Sequence, residues 1–132
     1  MSEANKAVVQ AYVDAFNAGD VDALCAQFHP EALVWGVLGW GAVPEVRPIW
    51  QDLVDCLGIQ LQVDGMIAEG DVVAVRYTER GTSKRAFRGQ GPTGRSYELT
   101  AMEWFELRDG KIYRRWGARD FASQTRQLGF QQ

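Results

Sequence analysis

The sequence predicts an α+β fold, in which helices pack on one face of a mostly antiparallel sheet. Helical periodicity dominates the first half of the chain, and alternating strands with turn signals fill most of the second. Helices followed by a run of turn-linked strands are typical of this class. The 132 residues, 46% of them hydrophobic, suffice for one domain spanning 1–132. A strongly curved sheet with the helices across its mouth would enclose a pocket.

Three helices are predicted in the N-terminal half. Apolar residues over 8–16 recur at the spacing of one helix face, and Gly19 follows them. Asp20 is a favourable N-cap for a second, short helix that ends before Pro30. A third helical face covers residues 46–57. Between the second and third helices, the pattern predicts a short strand over 32–36 and a glycine-rich loop over 36–41.

The C-terminal half is predicted to consist of strands and one closing helix. Turn signals at 69–71 and 109–110 separate the strands. The connection over 81–94 is long for a hairpin, so it is a candidate functional loop. The predicted strands are 59–63, 72–80, 95–107 and 111–118, and the predicted helix is 121–128.

Composition excludes several classes of protein. No apolar run reaches the roughly 18–20 residues of a membrane span, and the N-terminus does not resemble a signal peptide. Cys25 and Cys56 lie in helical patterns, which indicates reduced thiols in a cytoplasmic protein. With one histidine and no Cys/His cluster, neither a zinc site nor another metal site is expected. Binding of nucleic acid is not expected either, because the basic loop lacks interleaved aromatic residues apart from Phe87.

Charge is distributed unevenly along the chain. Residues 1–72 contain eleven acidic and two basic residues, whereas residues 73–132 contain six acidic and twelve basic ones. Halves of this length would each be short of core as separate domains. We therefore expect one domain whose acidic and basic halves face each other.

Asp120 is the first candidate for chemistry. In a regular final strand, Trp116 and Asp120 share a face, and Asp120 lies at the strand end. A carboxylate beside an apolar wall suits a general base near neutral pH. The same position also suits an N-cap for the closing helix. Spacing alone leaves both interpretations open.

Several segments resemble the SnoaL-like polyketide cyclase or ester cyclase family, within the nuclear transport factor 2-like superfamily. The matching pieces, in order, are VRYTERGT, GQGPTGR, FELRDGKIYRRW, the Asp four residues beyond Trp116, and the closing QLG. The N-terminal piece AYVDAFNAGDVDALCAQFHPEALVWG suits the superfamily. The resemblance covers nearly the whole chain.

The resemblance implies a cone-shaped sheet with a deep apolar cavity and an enzyme that needs no metal or cofactor. It implies that Asp120 removes a proton from a polyketide-like or other hydrophobic carbonyl substrate and starts an aldol ring closure. Epoxide hydrolysis or isomerisation in the same cavity is one alternative, and a non-catalytic binding or assembly module is another. The sequence departs from the family where Glu103 stands near the place of an assisting His.

Glu103 and Arg76 are the further catalytic candidates. Glu103 could form an acid–base couple with Asp120, or face outward and pair with Arg115 across the strands. Arg76 could hold an enolate or carboxylate oxygen in the cavity, or lie on the surface. Both alternatives stay open for each residue.

Aromatic side chains supply the predicted substrate-binding wall, and a hydrophobic small molecule is the expected ligand. A homodimer that buries the outer sheet face is also expected. The residues predicted to line the pocket are Tyr12, Phe16, Trp35, Trp50, Trp104 and Trp116.

Overall fold

A computed structural model describes residues 2–36 and 38–131 and shows four helices and six strands within them. The predicted loop over 36–41 contains Val37, which lies outside the described residues. The helices are α1 (Ser2–Ala18), α2 (Val21–Ala26), α3 (Val43–Leu57) and α4 (Phe121–Leu128). The strands are β1 (Phe28–Gly36), β2 (Gly39–Ala42), β3 (Gln60–Glu69), β4 (Val72–Thr82), β5 (Ser96–Arg108) and β6 (Lys111–Arg119).

The six strands form one curled, mixed sheet in the order β2-β1-β6-β5-β4-β3. Only β1 and β6 pair in parallel among these strands, and the other neighbours are antiparallel. Helix α1 lies across the concave face and contacts β3, β4 and β6. The predicted α+β class, with N-terminal helices over a curved and mostly antiparallel sheet, is confirmed.

Local signals placed the boundaries of β4, β5, β6 and α4 within two residues, but β1 begins four residues before the predicted strand and β3 extends six residues beyond it. Asp20 caps α2, because its carboxylate accepts a hydrogen bond from the Ala23 amide at 3.0 Å. Gly58 ends α3 in the left-handed conformation, with a φ of 55° that glycine adopts at little cost. The glycine-rich loop prediction was wrong for Gly39–Ala42, which pair with β1 as a short edge strand. A four-residue strand containing two glycines shows no alternation by which to recognise it.

Alternation along the central strands defines an inner and an outer sheet face. On β5, every second residue from Tyr97 to Leu107 is buried against the helices, and the residues between them face outward. On β4, Val73, Val75 and Tyr77 continue the inner face. The hydrophobic core therefore lies between the concave sheet face and helices α1 to α3.

Three findings bear on the excluded classes. No helix in the described ranges is long and apolar enough to cross a membrane. Residues 2–36 and 38–131 bring no three potential metal-ligating side chains together. Cys25 and Cys56 are free thiols, the first partly buried and the second buried.

Candidate functional site

A cavity of about 250 Å³ lies between the concave sheet face and the helices. Its walls are mostly apolar, and its polar lining comes from α3, β5, β6, the β4–β5 connection and α4. The apolar and aromatic lining includes Tyr12, Phe16, Val34, Trp40, Ile49, Trp50, Leu53, Ile59, Leu61, Phe87 and Phe121. The polar lining is Glu45, Arg88, Glu103, Arg115, Arg119 and Gln124.

Glu103 places a carboxylate on the inner face of β5, inside this cavity. Its exposed fraction is 4%, and it occupies an inward position between Ala101 and Phe105. The Tyr12 hydroxyl, from α1, lies 3.1 Å from both carboxylate oxygens and donates its hydrogen bond to them. Burial, and secondarily the charge of Glu103, raises the pKa of Tyr12. Tyr12 is therefore a protonated donor at neutral pH.

Arg115 on β6 forms a buried ion pair with Glu103. Burial disfavours the charged guanidinium, but Glu103 and then Tyr12 outweigh this effect and raise the pKa of Arg115. Gly117 leaves room for the guanidinium, because a Cβ there would lie 2.6 Å from Arg115 Nη1. Arg115 Nε is buried and has no hydrogen-bond partner within the described residues. Arg115 lines the cavity, and this Nε–H group is the unpaired donor of its side chain.

A second tyrosine–glutamate–arginine set lies beside the first. Glu79 on β4 is fully buried, accepts a 2.6 Å hydrogen bond from Tyr97 and pairs with Arg119 Nη2 at 2.8 Å. Burial opposes the charge on Arg119, but Glu79 and Glu103 raise its pKa. Arg119 lines the cavity, whereas Glu79 lies behind it. Glu79 therefore anchors a cationic side chain at the cavity wall.

The structure brings four of the predicted residues to the cavity. Tyr12, Phe16, Trp50 and Glu103 all line it. Glu103 does pair with Arg115, as one alternative had it, but this pair faces inward and not outward. Because β5 alternates strictly, Glu103 shares its face with buried apolar residues, and its partner is buried as well.

Asp120 does not lie in the cavity. It is exposed, and its carboxylate accepts a 2.9 Å hydrogen bond from the Ser123 amide, which makes it the N-cap of α4. Of the two interpretations left open for Asp120, the N-cap is confirmed, and the position beside an apolar pocket wall was wrong. Trp116 lies on the outer face of β6, whereas Asp120 follows the end of the strand, where the chain turns into α4.

Arg76, Trp35, Trp104 and Trp116 also lie outside the cavity. They line a separate depression of about 590 Å³ on the outer sheet face, which we call the outer groove. Arg76 alternates with the inward Val75 and Tyr77, so it points away from the helices. For Arg76 the surface alternative is confirmed, and the placement of the three tryptophans at the substrate pocket was wrong, because they occupy the outward positions of their strands. The remaining lining of the outer groove includes Met66, Ile67 and Met102.

Sequence reasoning missed Glu79, Arg119 and Arg88, and underrated Arg115. One signal could have found the buried acids. Glu79 and Glu103 both occupy inward positions of their strands. Glu79 follows the inward apolar residues of β4, and Glu103 lies between inward apolar residues of β5. A charged residue in an inward strand position requires a buried partner. The arginines carry no comparable signal, because β6 lacks a regular apolar alternation.

Comparison with known proteins agrees with this architecture. Residues 9–115 match the family described as SnoaL-like domain. IdmH, a candidate polyketide cyclase from Streptomyces antibioticus, is 26% identical with a TM-score of 0.81, over 95% of this chain and 98% of that one. No curated protein sequence gives a significant match.

Two further solved structures share the fold. AclR, a candidate hydroxylase from Streptomyces galilaeus, has a TM-score of 0.89 at 23% identity, with 98% of each chain covered. An LEH-like epoxide hydrolase from M. tuberculosis has a TM-score of 0.77 at 16% identity, over 96% of this chain and 90% of that one. The match over most of the chain, together with the cone-like sheet and its cavity, shows that this protein belongs to the SnoaL-like family of the nuclear transport factor 2-like superfamily.

Proposed function

We propose that the protein is an enzyme that closes a ring in a small hydrophobic carbonyl compound by acid–base catalysis inside the cavity. Glu103 is the proposed base. The observation that carries the proposal is the position of this carboxylate, which is buried in an otherwise largely apolar cavity and held by Tyr12 and Arg115. Similarity to IdmH, a candidate polyketide cyclase, supports ring closure as the class of reaction.

The carboxylate of Glu103 retains capacity to accept a substrate proton. A carboxylate offers about four lone-pair sites. Arg115 occupies one, and the single hydroxyl proton of Tyr12 is shared between the two oxygens. A substrate C–H group that approaches from the cavity can therefore reach an unoccupied site. Fixed partners hold the carboxylate in one orientation, which favours reaction over random encounter.

Arg115 supplies the proposed site for the developing negative charge. Its Nε–H group is buried without a partner, and a buried donor of this kind is costly until an acceptor arrives. An enolate oxygen is a stronger acceptor than the ground-state carbonyl oxygen. A hydrogen bond from Nε would therefore stabilise the transition state more than the bound substrate.

The proposed reaction balances without another reactant. Glu103 removes a proton from a carbon next to a carbonyl group, and the C–H electron pair moves to form the enolate. The enolate carbon attacks a second carbonyl carbon of the same molecule, which forms the ring C–C bond. The resulting alkoxide recovers the proton from Glu103. The product is an isomer of the substrate, so this series of reaction steps requires no cofactor.

Epoxide hydrolysis is the second candidate for the same cavity. The neighbouring Glu103–Arg115 and Glu79–Arg119 pairs favour it, because a carboxylate can activate water while an arginine stabilises the opened oxygen. The two reactions differ in mass balance. Hydrolysis adds one water to the product, whereas ring closure does not. Mass spectrometry of the product therefore separates them.

A direct experiment uses 2-tetralone, a small bicyclic ketone with activated α-protons, as the probe. Exchange of these protons in D₂O, followed by NMR, reports enolate formation without requiring the natural substrate. The proposal expects the protein to accelerate exchange over buffer and the Glu103→Gln variant to lose the acceleration. A purely ligand-binding module would leave the exchange rate at the buffer value.

We also propose that the outer groove is covered by a second copy of this chain. Its apolar side chains are unusually exposed, with exposed fractions of 41% for Trp35, 47% for Trp104 and 54% for Met102. Arg76 and Glu106 lie on the same outer face, and neither forms an ion pair within the described residues. A two-fold axis can place such unlike charges opposite each other across a self-complementary interface.

A further inference from the structure

The β4–β5 connection, residues 83–95, brings a tight turn to the mouth of the cavity. Phe87 and Gln90 exchange two backbone hydrogen bonds, at 2.7 and 3.0 Å. Arg88 and Gly89 between them have φ values of 51° and 78°. Positive φ at both central positions defines a type I′ turn, which disfavours a long side chain at its first position. Arg88 nevertheless occupies that position.

The turn holds Arg88 against two aromatic rings at the cavity wall. Phe87 is buried, and the guanidinium carbon of Arg88 lies 4.9 Å from its ring centroid and 5.5 Å from that of Phe121. Arg88, Phe87 and Phe121 line both the main cavity and an adjoining cavity of about 240 Å³. The guanidinium is thus placed where the two spaces meet.

Arg88 lacks the neutralising partner that the other cavity arginines have. Arg115 pairs with Glu103 and Arg119 pairs with Glu79, but Arg88 forms no ion pair within residues 2–36 and 38–131. Arg88 is exposed at the cavity mouth, where partial desolvation and the positive charge of Arg119 lower its pKa and the charge of Asp52 opposes them. The remaining lining carboxylate, Glu45, accepts a hydrogen bond from the Ala42 amide at the start of α3. Arg88 is therefore the lining arginine whose guanidinium contacts no carboxylate within the described residues.

We infer that Arg88 recognises a carboxylate on the substrate, so that the natural substrate is a hydrophobic carbonyl compound with an acidic group at one end. This inference rests on the proposed function, because it assumes that the substrate occupies the main cavity. One unpaired guanidinium matches one singly charged group, and its planar donors fit a carboxylate in a bidentate manner. Two aromatic rings hold the guanidinium in place, which lowers the entropy lost on binding.

Binding of 2-naphthoate and 2-naphthamide tests the inference, since the two molecules differ only in the acidic group. Calorimetry should show at least tenfold tighter binding of 2-naphthoate to the unaltered protein. Arg88→Gln should abolish that preference and leave the affinity for 2-naphthamide unchanged, whereas Arg88→Lys should retain part of it. Arg85→Gln is the matched control, because Arg85 is exposed in the same connection and does not line the cavity.

Three results would overturn the inference. The first is a carboxylate preference that survives Arg88→Gln. The second is a preference lost in Arg76→Gln instead, which would place the anion in the outer groove. The third is the absence of any preference, including the absence of binding by both molecules. If 2-tetralone exchange depends on Glu103 while the preference for 2-naphthoate does not depend on Arg88, the role of Arg88 is refuted and the proposed reaction stands. A preference that depends on Arg88 without any exchange would instead refute the proposed reaction.

Discussion

Glu103 on β5 and Arg115 on β6 form a buried ion pair diagonally across two adjacent strands. Glu103 is directly opposite Gly117, and Arg115 is opposite Phe105, so the two charged side chains reach toward each other over the small Gly117. Tyr12 completes the set from α1. The proposed catalytic carboxylate is thereby fixed by three different elements, and changes in any of them have measurable consequences.

Removal of one partner of this pair should destabilise the fold strongly. We expect Glu103→Ala to lower the free energy of unfolding by about 3–5 kcal/mol, because it leaves the Arg115 charge buried and uncompensated. Glu98→Ala on the same strand is the matched control. Its pair with Arg80 is about half exposed and should contribute less than about 1 kcal/mol. Urea denaturation measures both, and equal losses would contradict the burial argument.

The space above Gly117 should be essential for the position of Arg115. A Cβ at residue 117 would lie 2.6 Å from Arg115 Nη1, whereas one at Gly36 would lie an ordinary 3.8 Å from Nη2. We therefore expect Gly117→Ala to cost about 1–3 kcal/mol of stability and to reduce turnover. Gly36→Ala should do neither. Similar behaviour of the two variants in thermal denaturation and in 2-tetralone exchange would refute this assignment.

Asp120 should act as a helix cap and not as a base. Asn caps helices about as well as Asp, so Asp120→Asn should preserve both stability and exchange activity. Asp120→Ala should lose about 1 kcal/mol of unfolding free energy. Loss of activity in the folded Asn variant would restore the catalytic role predicted from the sequence.

Alkaline pH should destabilise the protein through its buried tyrosines. Burial raises the pKa values of Tyr12, Tyr77 and Tyr97 in the folded state. Above about pH 10 the unfolded chain releases these protons while the folded chain keeps them. Stability is therefore retained below that pH and falls as the pH rises. Each tyrosine contributes a slope of up to about 1.4 kcal/mol per pH unit.

The Tyr12→Phe variant isolates one of these contributions. Its unfolding free energy should decline less steeply than that of the unaltered protein between about pH 10 and 11.5. Urea titrations at several pH values measure the two slopes. Identical slopes would mean that Tyr12 ionises as readily in the folded protein as in the unfolded chain.

The outer groove should mediate self-association. Trp104 lines the outer groove and is 47% exposed. The Trp104→Arg variant would place a charge against the same face of the second copy. We expect this variant to be monomeric by light scattering where the unaltered protein is dimeric. Lys84→Glu, on the exposed β4–β5 connection, serves as a control that should leave the mass unchanged. A monomeric unaltered protein would refute the dimer.

Most of the fold was predictable because its signals are local. Helix faces, caps such as Asp20 and turns such as Gly70 depend on residues within a few positions of each other. The inner face of β4 was likewise visible in the alternation of Val73, Val75 and Tyr77. Edge strand β2 was missed, because its two glycines suppress that alternation.

The site was less predictable because it depends on contacts between distant segments. Four residues separate Trp116 from Asp120, a spacing that suits either face of the sheet. Only the inward direction of Arg115 and Gly117 shows that Trp116, which lies between them, faces outward. The tryptophans on the outer face were assigned to the pocket on hydrophobicity alone, although exposed apolar patches also mark interfaces. Glu103 was a candidate in the sequence and lies in the cavity, but its burial emerges only when α1 covers it.

The α-proton exchange of 2-tetralone in D₂O tests the central claim most directly, with the unaltered protein, Glu103→Gln, Asp120→Asn and the Glu103→Gln/Arg115→Gln double variant. The double variant removes both charges and guards against misfolding as the cause of inactivity. We predict that exchange falls by at least about 100-fold in both variants that lack Glu103 and is unchanged in Asp120→Asn. Exchange that persists without Glu103, or disappears without Asp120, would contradict the assignment of Glu103 as the base.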